Sequence, residues 1–259
     1  MKTLNLVGPG AVDLADRLVP RLDGRVATVE TLPETAARDT DAGAAYGLSA
    51  DGSWIGAGDG ETLPDLLDSL VPDFDYALTV GFDTARLPTV AIGDAEVVGD
   101  ARVMLSDADA DLDPILDAVA DVEPRVTLES LVERAKASPH AERSGAIATF
   151  TGRVRVKDSD DDTRTTQLEF EKYEGVAADR MRTIREELET RDGVFEVLMH
   201  HRTGVLREGE DIVFVVVLAG HREEAFRTVE DGINRLKDEV PIFKKESTEE
   251  EEFWIHERA

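Results

Sequence analysis

Lysine is scarce in this chain, seven residues among 29 basic ones, yet Lys237, Lys244 and Lys245 fall within nine positions of one another. In a sequence that otherwise selects arginine, such a cluster points to lysine chemistry. The ammonium can stand as a point charge beside a developing anion, or lose its proton when desolvated and take part in proton transfer. Upstream lies Ala219-Gly-His-Arg222, followed by Phe226, Val229, Ile233, Leu236 and Val240, spaced 3, 4, 3 and 4 apart. That period predicts an amphipathic helix. At about 100° per residue the five apolar positions share one stripe, with Arg222 inside it and Lys237 at about 20° from Phe226, on its edge. Each cation alone reads as a snorkelling side chain with its charge at the rim. Two together on the buried edge are less easily read that way. The helix start at Gly220-His221-Arg222 also offers free N–H groups and partial positive charge, which suit a phosphate, although this signal is weak by itself.

The elements that must hold these groups are legible in outline. Residues 212–219 are nearly all apolar and predict a central strand feeding the helix. Before it come a helix with Leu128, Leu131, Val132 and Ala135 on one face, a glycine-interrupted strand over 145–155, and a charged loop over 157–165 expected to be mobile. An alternating strand follows with Leu168 and Phe170, then a helix with Ala177, Met181, Ile184 and Leu188, a strand with Phe195, Val197 and Met199, and a turn at Glu208-Gly209. The first half predicts a strand over 4–7, a turn at Gly8-Pro9-Gly10, a helix through Val12, Leu18 and Val19, and a strand over 25–29. A helix over 63–70, buried parallel strands over 76–80 and 89–92, and a short helix over 115–119 complete it. Residues 33–60 show no clear period.

With 259 residues, two separate cores are expected, with domains at 1–122 and 123–259. The net charge of −27 resembles that of proteins from very salty cytoplasm and argues against nucleic acid or an anionic membrane as partner. Cysteine is absent, which excludes disulfides, thiolate metal sites and a persulfide carried on this chain. No apolar run reaches the roughly 18 residues of a membrane span and the start lacks a signal pattern, so a soluble, cytoplasmic protein is expected.

Five motifs in order, Phe150-Thr-Gly-Arg-Val-Arg155, His201-Arg-Thr-Gly204, Ala219-Gly-His-Arg222, Leu236-Lys237 with Pro241-Ile-Phe-Lys-Lys-Glu246, and Trp254-Ile-His-Glu-Arg258, resemble the MoaE family, the large catalytic subunit of molybdopterin synthase. The resemblance spans about 135 residues. It implies an α+β hammerhead domain and a homodimer of large subunits within a heterotetramer. It also implies a sulfurtransferase that needs no cofactor or metal. Its partner would be a MoaD-like small subunit of ubiquitin fold ending in a Gly-Gly thiocarboxylate, and its substrate cyclic pyranopterin monophosphate. Carried across by motif, Lys237 and Lys244 become the catalytic pair. Arg155, His221, Arg222 and Arg258 become substrate-binding residues, with His221 and Arg222 reaching across the dimer, and Phe150 and Glu246 become supporting residues. The competing reading is a non-catalytic scaffold, or a lysine acceptor, for a ubiquitin-like protein.

The first half faintly resembles MobB, a P-loop protein, through Leu6-Val-Gly-Pro-Gly10 and residues 74–92. The fold class implied is an α/β layered, degenerate P-loop-like domain ahead of the hammerhead. The lysine and hydroxyl that a phosphate-binding loop requires are replaced by Asp13-Leu14, so no nucleotide turnover is expected. His200 and His201 adjoin on a strand, must face opposite ways and cannot share a metal; a structural role is expected for both. Asp158, Asp160, Asp161 and Asp162 lack the glycine and glutamate of a calcium loop and read as solvated. The acidic run over 249–252 reads the same way.

Overall fold

A computed structural model describes residues 1–32, 43–98, 101–157, 159, 163–248 and 252–255 of the chain. The chain divides into two compact units, Met1–Val126 and Thr127–Ala259. The division falls four residues beyond the expected one because Arg125 is bound into the first unit: its amide donates to Met1 O at 2.8 Å and its Nε to Asp68 at 2.6 Å.

The first unit is built on five parallel strands in the order β2-β5-β1-β6-β7, where β1 is Lys2–Val7, β2 Val26–Glu30, β5 Tyr76–Val80, β6 Thr89–Ile92 and β7 Ala101–Leu105. Helices α1 (Ala11–Leu18), α2 (Leu63–Leu70) and α3 (Asp113–Ala120) belong to it. Leu4, Leu6, Leu78, Val80, Val90 and Ile92 form its core with Leu14, Leu18 and Ile115. Residues 33–42 lie outside the described residues. The rest of the stretch that showed no period forms a separate antiparallel hairpin, β3 (Ala44–Leu48) and β4 (Trp54–Gly58). Its turn is held by Asp51, which accepts from the hydroxyls of Ser49 and Ser53. Val12, expected on the buried face of α1, is 46% exposed; the core takes Ala11, Leu14, Ala15 and Leu18 instead.

The second unit holds two antiparallel sheets. One has the order β10-β12-β8, with β8 at Ala146–Arg153, β10 at Val194–His201 and β12 at Asp211–Ala219. The nearly all-apolar β12 is its central strand, buried from Val213 to Ala219. The face carrying Val213, Val215, Val217 and Ala219 packs on α5 (Glu174–Glu189) and α6 (Arg222–Glu239), through Ile184, Leu188, Val229, Ile233 and Leu236. Helix α4 (Leu128–Lys136) contacts the same sheet and opens on a capping box between Thr127 and Ser130. The other sheet runs β11-β9-β13-β14, with β9 at Thr165–Lys172, β11 at Gly204–Arg207, β13 at Ile242–Thr248 and β14 at Glu252–Ile255. Its cluster of Val154, Leu168, Phe170 and Leu206 joins the main core through Ile212 and Ile242, which pack against both.

Helix α6 departs from the expected stripe. Val229, Ile233, Leu236 and Val240 are buried, but Phe226 is 66% exposed and Arg222 is exposed with it. The helix turns its small residues Ala225, Thr228 and Gly232 to the sheet instead. A Cβ on Gly232 would stand 3.0 Å from Met199 and 3.1 Å from Val215, so close approach, not maximal apolarity, sets the buried face.

Candidate functional site

A cavity of about 700 Å³ lies within the second unit, bounded by β8, β9, β10, β12, β13 and the end of α6. Strand alternation selects its lining. Along β13, Ile242, Lys244 and Glu246 line it while Lys245 does not. Pro241 lacks an amide proton and disfavours helix at the residue before it; α6 stops there, with Val240 extended, and the chain turns into β13. Lys237 and Lys244, one on each side of that break, therefore line the same cavity. In the last turn of α6, Lys237 also sits at the negative end of the helix dipole.

The opposite wall comes from β8 and the segment after it. Val213 pairs with Gly152 and Asp211 with Arg153, so Ile212 is an extra residue, a bulge that redirects the strand end. Val154 beyond it is 2% exposed, whereas its neighbours Arg153 and Arg155 are exposed and line the cavity with Lys157. The Arg153 Nε donates to Gly209 O at 3.1 Å and lies 3.3 Å from Asp211, which ties the bulge together.

Among the described residues five cationic side chains thus line the cavity, Arg153, Arg155, Lys157, Lys237 and Lys244, against one carboxylate, Glu246. Glu246 Oε1 accepts from the Thr165 hydroxyl at 2.5 Å, and Glu246 Oε2 lies 4.0 Å from Lys244 Nζ. Both partners are largely withdrawn from water, with 27% of the Lys244 side chain and 19% of that of Glu246 exposed. Phe150 lines the apolar part of the wall with Leu168, Phe170 and Ile233.

Of the residues selected from sequence, the structure brings together Phe150, Arg155, Lys237, Lys244 and Glu246. It does not bring His221 and Arg222 to them in the same chain. His221 caps α6 and Arg222 begins it, both exposed, and the 15 residues to Lys237 span about 22 Å of helix. Arg258 lies outside the described residues, as do Asp158, Asp160, Asp161 and Asp162. The sequence reading did not select the lining residues Arg153, Lys157, Thr165, Phe170 and His201. Alternation from Arg155 could have found Arg153 and Lys157, but nothing in the local sequence places Thr165 beside Glu246, 81 positions away. His200 and His201 do separate, His200 stacking on Phe214 and His201 meeting Phe170 edge-on. Among the described residues no group of His, Cys, Asp and Glu is placed to hold a metal, and no helix is long and apolar enough to cross a membrane.

The glycine turn of the first unit is packed shut. A Cβ on Gly8 would stand 2.3 Å from Ile92 O, and one on Gly10 2.6 Å from the Ala108 Cβ. Both glycines have positive φ, 120° and 78°, so they serve a tight turn and close approach by protein atoms.

The chain is similar to known proteins of one family. The family model described as MoaE protein matches residues 123–239. A Haloferax volcanii protein named "Probable molybdopterin synthase" is 60% identical across the whole of both chains. The Pyrococcus abyssi protein named "Molybdopterin synthase catalytic subunit" is 37% identical over 48% of this chain and 82% of its own. The crystal structure of molybdopterin synthase from Staphylococcus aureus is 31% identical and covers 52% of this chain and 93% of its own, with a TM-score of 0.46. The chain belongs to the MoaE family, the catalytic subunit of molybdopterin synthase.

Proposed function

We propose that the second unit transfers sulfur from the C-terminal thiocarboxylate of a ubiquitin-like small subunit to cyclic pyranopterin monophosphate, yielding molybdopterin. The observation that carries this reading is the concentration of five cations on one cavity in a chain of net charge −27. A phosphorylated ring and a thiocarboxylate repel each other, and fixed cations offset that repulsion while stabilising oxyanions that form as they react. A cavity of about 700 Å³ has the size of small-molecule sites and leaves room for the end of a protein tail beside a pterin.

In the reaction the thiocarboxylate sulfur attacks a ring carbon, and a C–S bond forms as a C–O bond at that carbon breaks, the oxygen leaving with the electron pair. The small subunit is then joined to the ring through an acyl–sulfur bond, and water must cleave that bond for the sulfur to stay. Lys237 and Lys244 flank the reacting atoms, with Glu246 holding Lys244. Arg155 and Arg258 bind substrate, and Phe150 supports the wall. His221 and Arg222 bind the substrate phosphate at the cavity of a second copy, which makes the working unit a homodimer with one small subunit at each site. The first unit holds no nucleotide in this reading, since Asp13-Leu14 replace the lysine and hydroxyl that a phosphate-binding loop requires.

A reconstituted assay with thiocarboxylated small subunit and precursor tests the proposal. The Lys237→Ala, Lys244→Ala double variant is expected to lose product formation by at least about a hundredfold while still binding the small subunit. Product at the normal rate overturns the site assignment. Failure of the unmodified chain to bind the precursor favours a scaffold for the ubiquitin-like protein instead.

A further inference from the structure

The motif His201-Arg-Thr-Gly204 has no part in the chemistry above, yet His201 is the one titratable side chain among the described residues that is buried, at 6% exposure. It ends β10 and lines the same cavity as Lys237, Lys244 and Glu246. Its Nδ1 lies 2.7 Å from the carbonyl oxygen of Arg202. A carbonyl carries no proton, so Nδ1 is the donor, and Nε2 is the nitrogen at which a proton can be gained and lost. The Phe170 ring meets the imidazole edge-on, with centroids 4.9 Å apart, and Phe170 is the register partner of Lys244 across β9 and β13. Backbone and aromatic contacts thus fix the ring on the wall that also carries Lys244.

Among the described residues, the charged groups around this cavity are Arg153, Arg155 and Lys157 from β8 and the segment after it, Lys237 from α6, and Lys244 and Glu246 from β13. Arg202 turns its guanidinium to Asp211 O at 3.0 Å and lies 3.9 Å from Glu210. Lysine and arginine side chains that hold their protons serve as donors and charges. An imidazole with Nδ1 engaged as donor is suited to accept.

We propose that His201 is a catalytic residue of the release step, in which its Nε2 takes a proton from the water that attacks the acyl carbon. The new C–O bond forms as the acyl–sulfur bond breaks. The small subunit leaves with a carboxylic acid that ionises at neutral pH. The sulfur keeps the bonding electron pair as a thiolate on the ring, and the imidazolium returns its proton to solvent. This assignment rests on the sulfur-transfer reading given above.

Single turnovers of the full-length protein with thiocarboxylated small subunit and precursor, quenched in acid and weighed by intact mass spectrometry, test it. In H201Q and H201A the precursor is consumed, the covalent small subunit–pterin adduct accumulates, and its release slows by about 100-fold or more. Added imidazole restores release in H201A, and the acidic limb in the pH profile of the release rate, present with His201, is absent from both variants. Release at the unsubstituted rate in H201Q overturns the proposal. So does loss of product with no adduct in a variant whose melting temperature is unchanged. Failure of the unsubstituted protein to form either adduct or product with thiocarboxylated small subunit and precursor instead overturns the sulfur-transfer reading itself.

Discussion

Gly152 shows how closely the site's residues are fitted. Its backbone is accessible to any residue, but a Cβ there would stand 2.6 Å from Val213 Cγ1 and 3.4 Å from the Phe150 ring. Val213 is 5% exposed and packed in the core, so it has little room to yield. Gly152→Ala is therefore expected to destabilise the second unit by about 1–3 kcal/mol. Combined with Val213→Ala, it should destabilise by about 1 kcal/mol less than the separate losses predict, because the second change removes the clashing methyl. Urea unfolding of the two single variants and the double would show this; strictly additive losses would mean that no such contact limits the site. The same residues mark what sequence could reveal. The scarcity of lysine made Lys237 and Lys244 conspicuous, and motif order made Arg155, Phe150 and Glu246 so. Thr165 carries no such signal, since its place at the cavity depends on strand register between distant segments, and His201, although it opens a motif, reads there as a structural residue.

At the scale of elements, apolar period located most helices and the buried strands, including β12 and the matching pair β5 and β6. Edge and short strands escaped because they lack a continuous apolar face: β7 alternates between half-buried and exposed, and β11 has only four residues. Strand β13 was concealed by its lysines, which are half-buried in the second sheet. Period also misjudged α6, where Phe226 faces outward and glycine faces in. What fixes α6 beyond its apolar face is a charged seam with α5. Arg235 donates to Glu239 and to Glu187, each at 2.6 Å, and Arg180 reaches Glu239 at 2.9 Å. The hydrogen bond from Arg235 holds the Glu239 carboxyl below its ordinary value of 4.5. With a depressed folded-state value, the unfolded chain binds the proton more readily, so this stabilisation is complete above about pH 4.5 and is lost as pH falls through the folded value. The charge-neutral Glu239→Gln should be less stable than the unsubstituted chain at neutral pH by up to about 1 kcal/mol, the usual ceiling for exposed pairs. The difference should shrink on acidification below pH 4.5. Denaturant midpoints at pH 7 and pH 3 would measure it, and a gap that stays constant would remove the seam as a source of acid sensitivity.

Across the whole molecule, 56 acidic residues stand against 29 basic ones, while among the described residues one cavity carries five cations and a single carboxylate. Overall composition argues against polyanionic partners but conceals the site, because a local cluster of five cations disappears in the sum. Only folding, which draws β8, α6 and β13 around one cavity, makes the contrast visible. Length alone predicts two units, and the position of the division is set by bonds from Arg125 that the sequence does not advertise. The same charge imbalance governs stability. Like charges crowd together when the chain is compact and separate when it unfolds, so self-repulsion favours the unfolded state. Salt screens it: the Debye length falls from about 10 Å at 0.1 M to about 3 Å at 1 M. The melting temperature is accordingly expected to climb steeply as KCl is raised from 0.1 M to 1 M and to flatten beyond, once neighbouring carboxylates no longer sense one another. Sucrose at matched osmolality raises stability by exclusion from the surface but does not screen, so it should reproduce only a minor part of the rise. If sucrose matches KCl, preferential hydration and not charge screening is what the acidic surface of this chain provides.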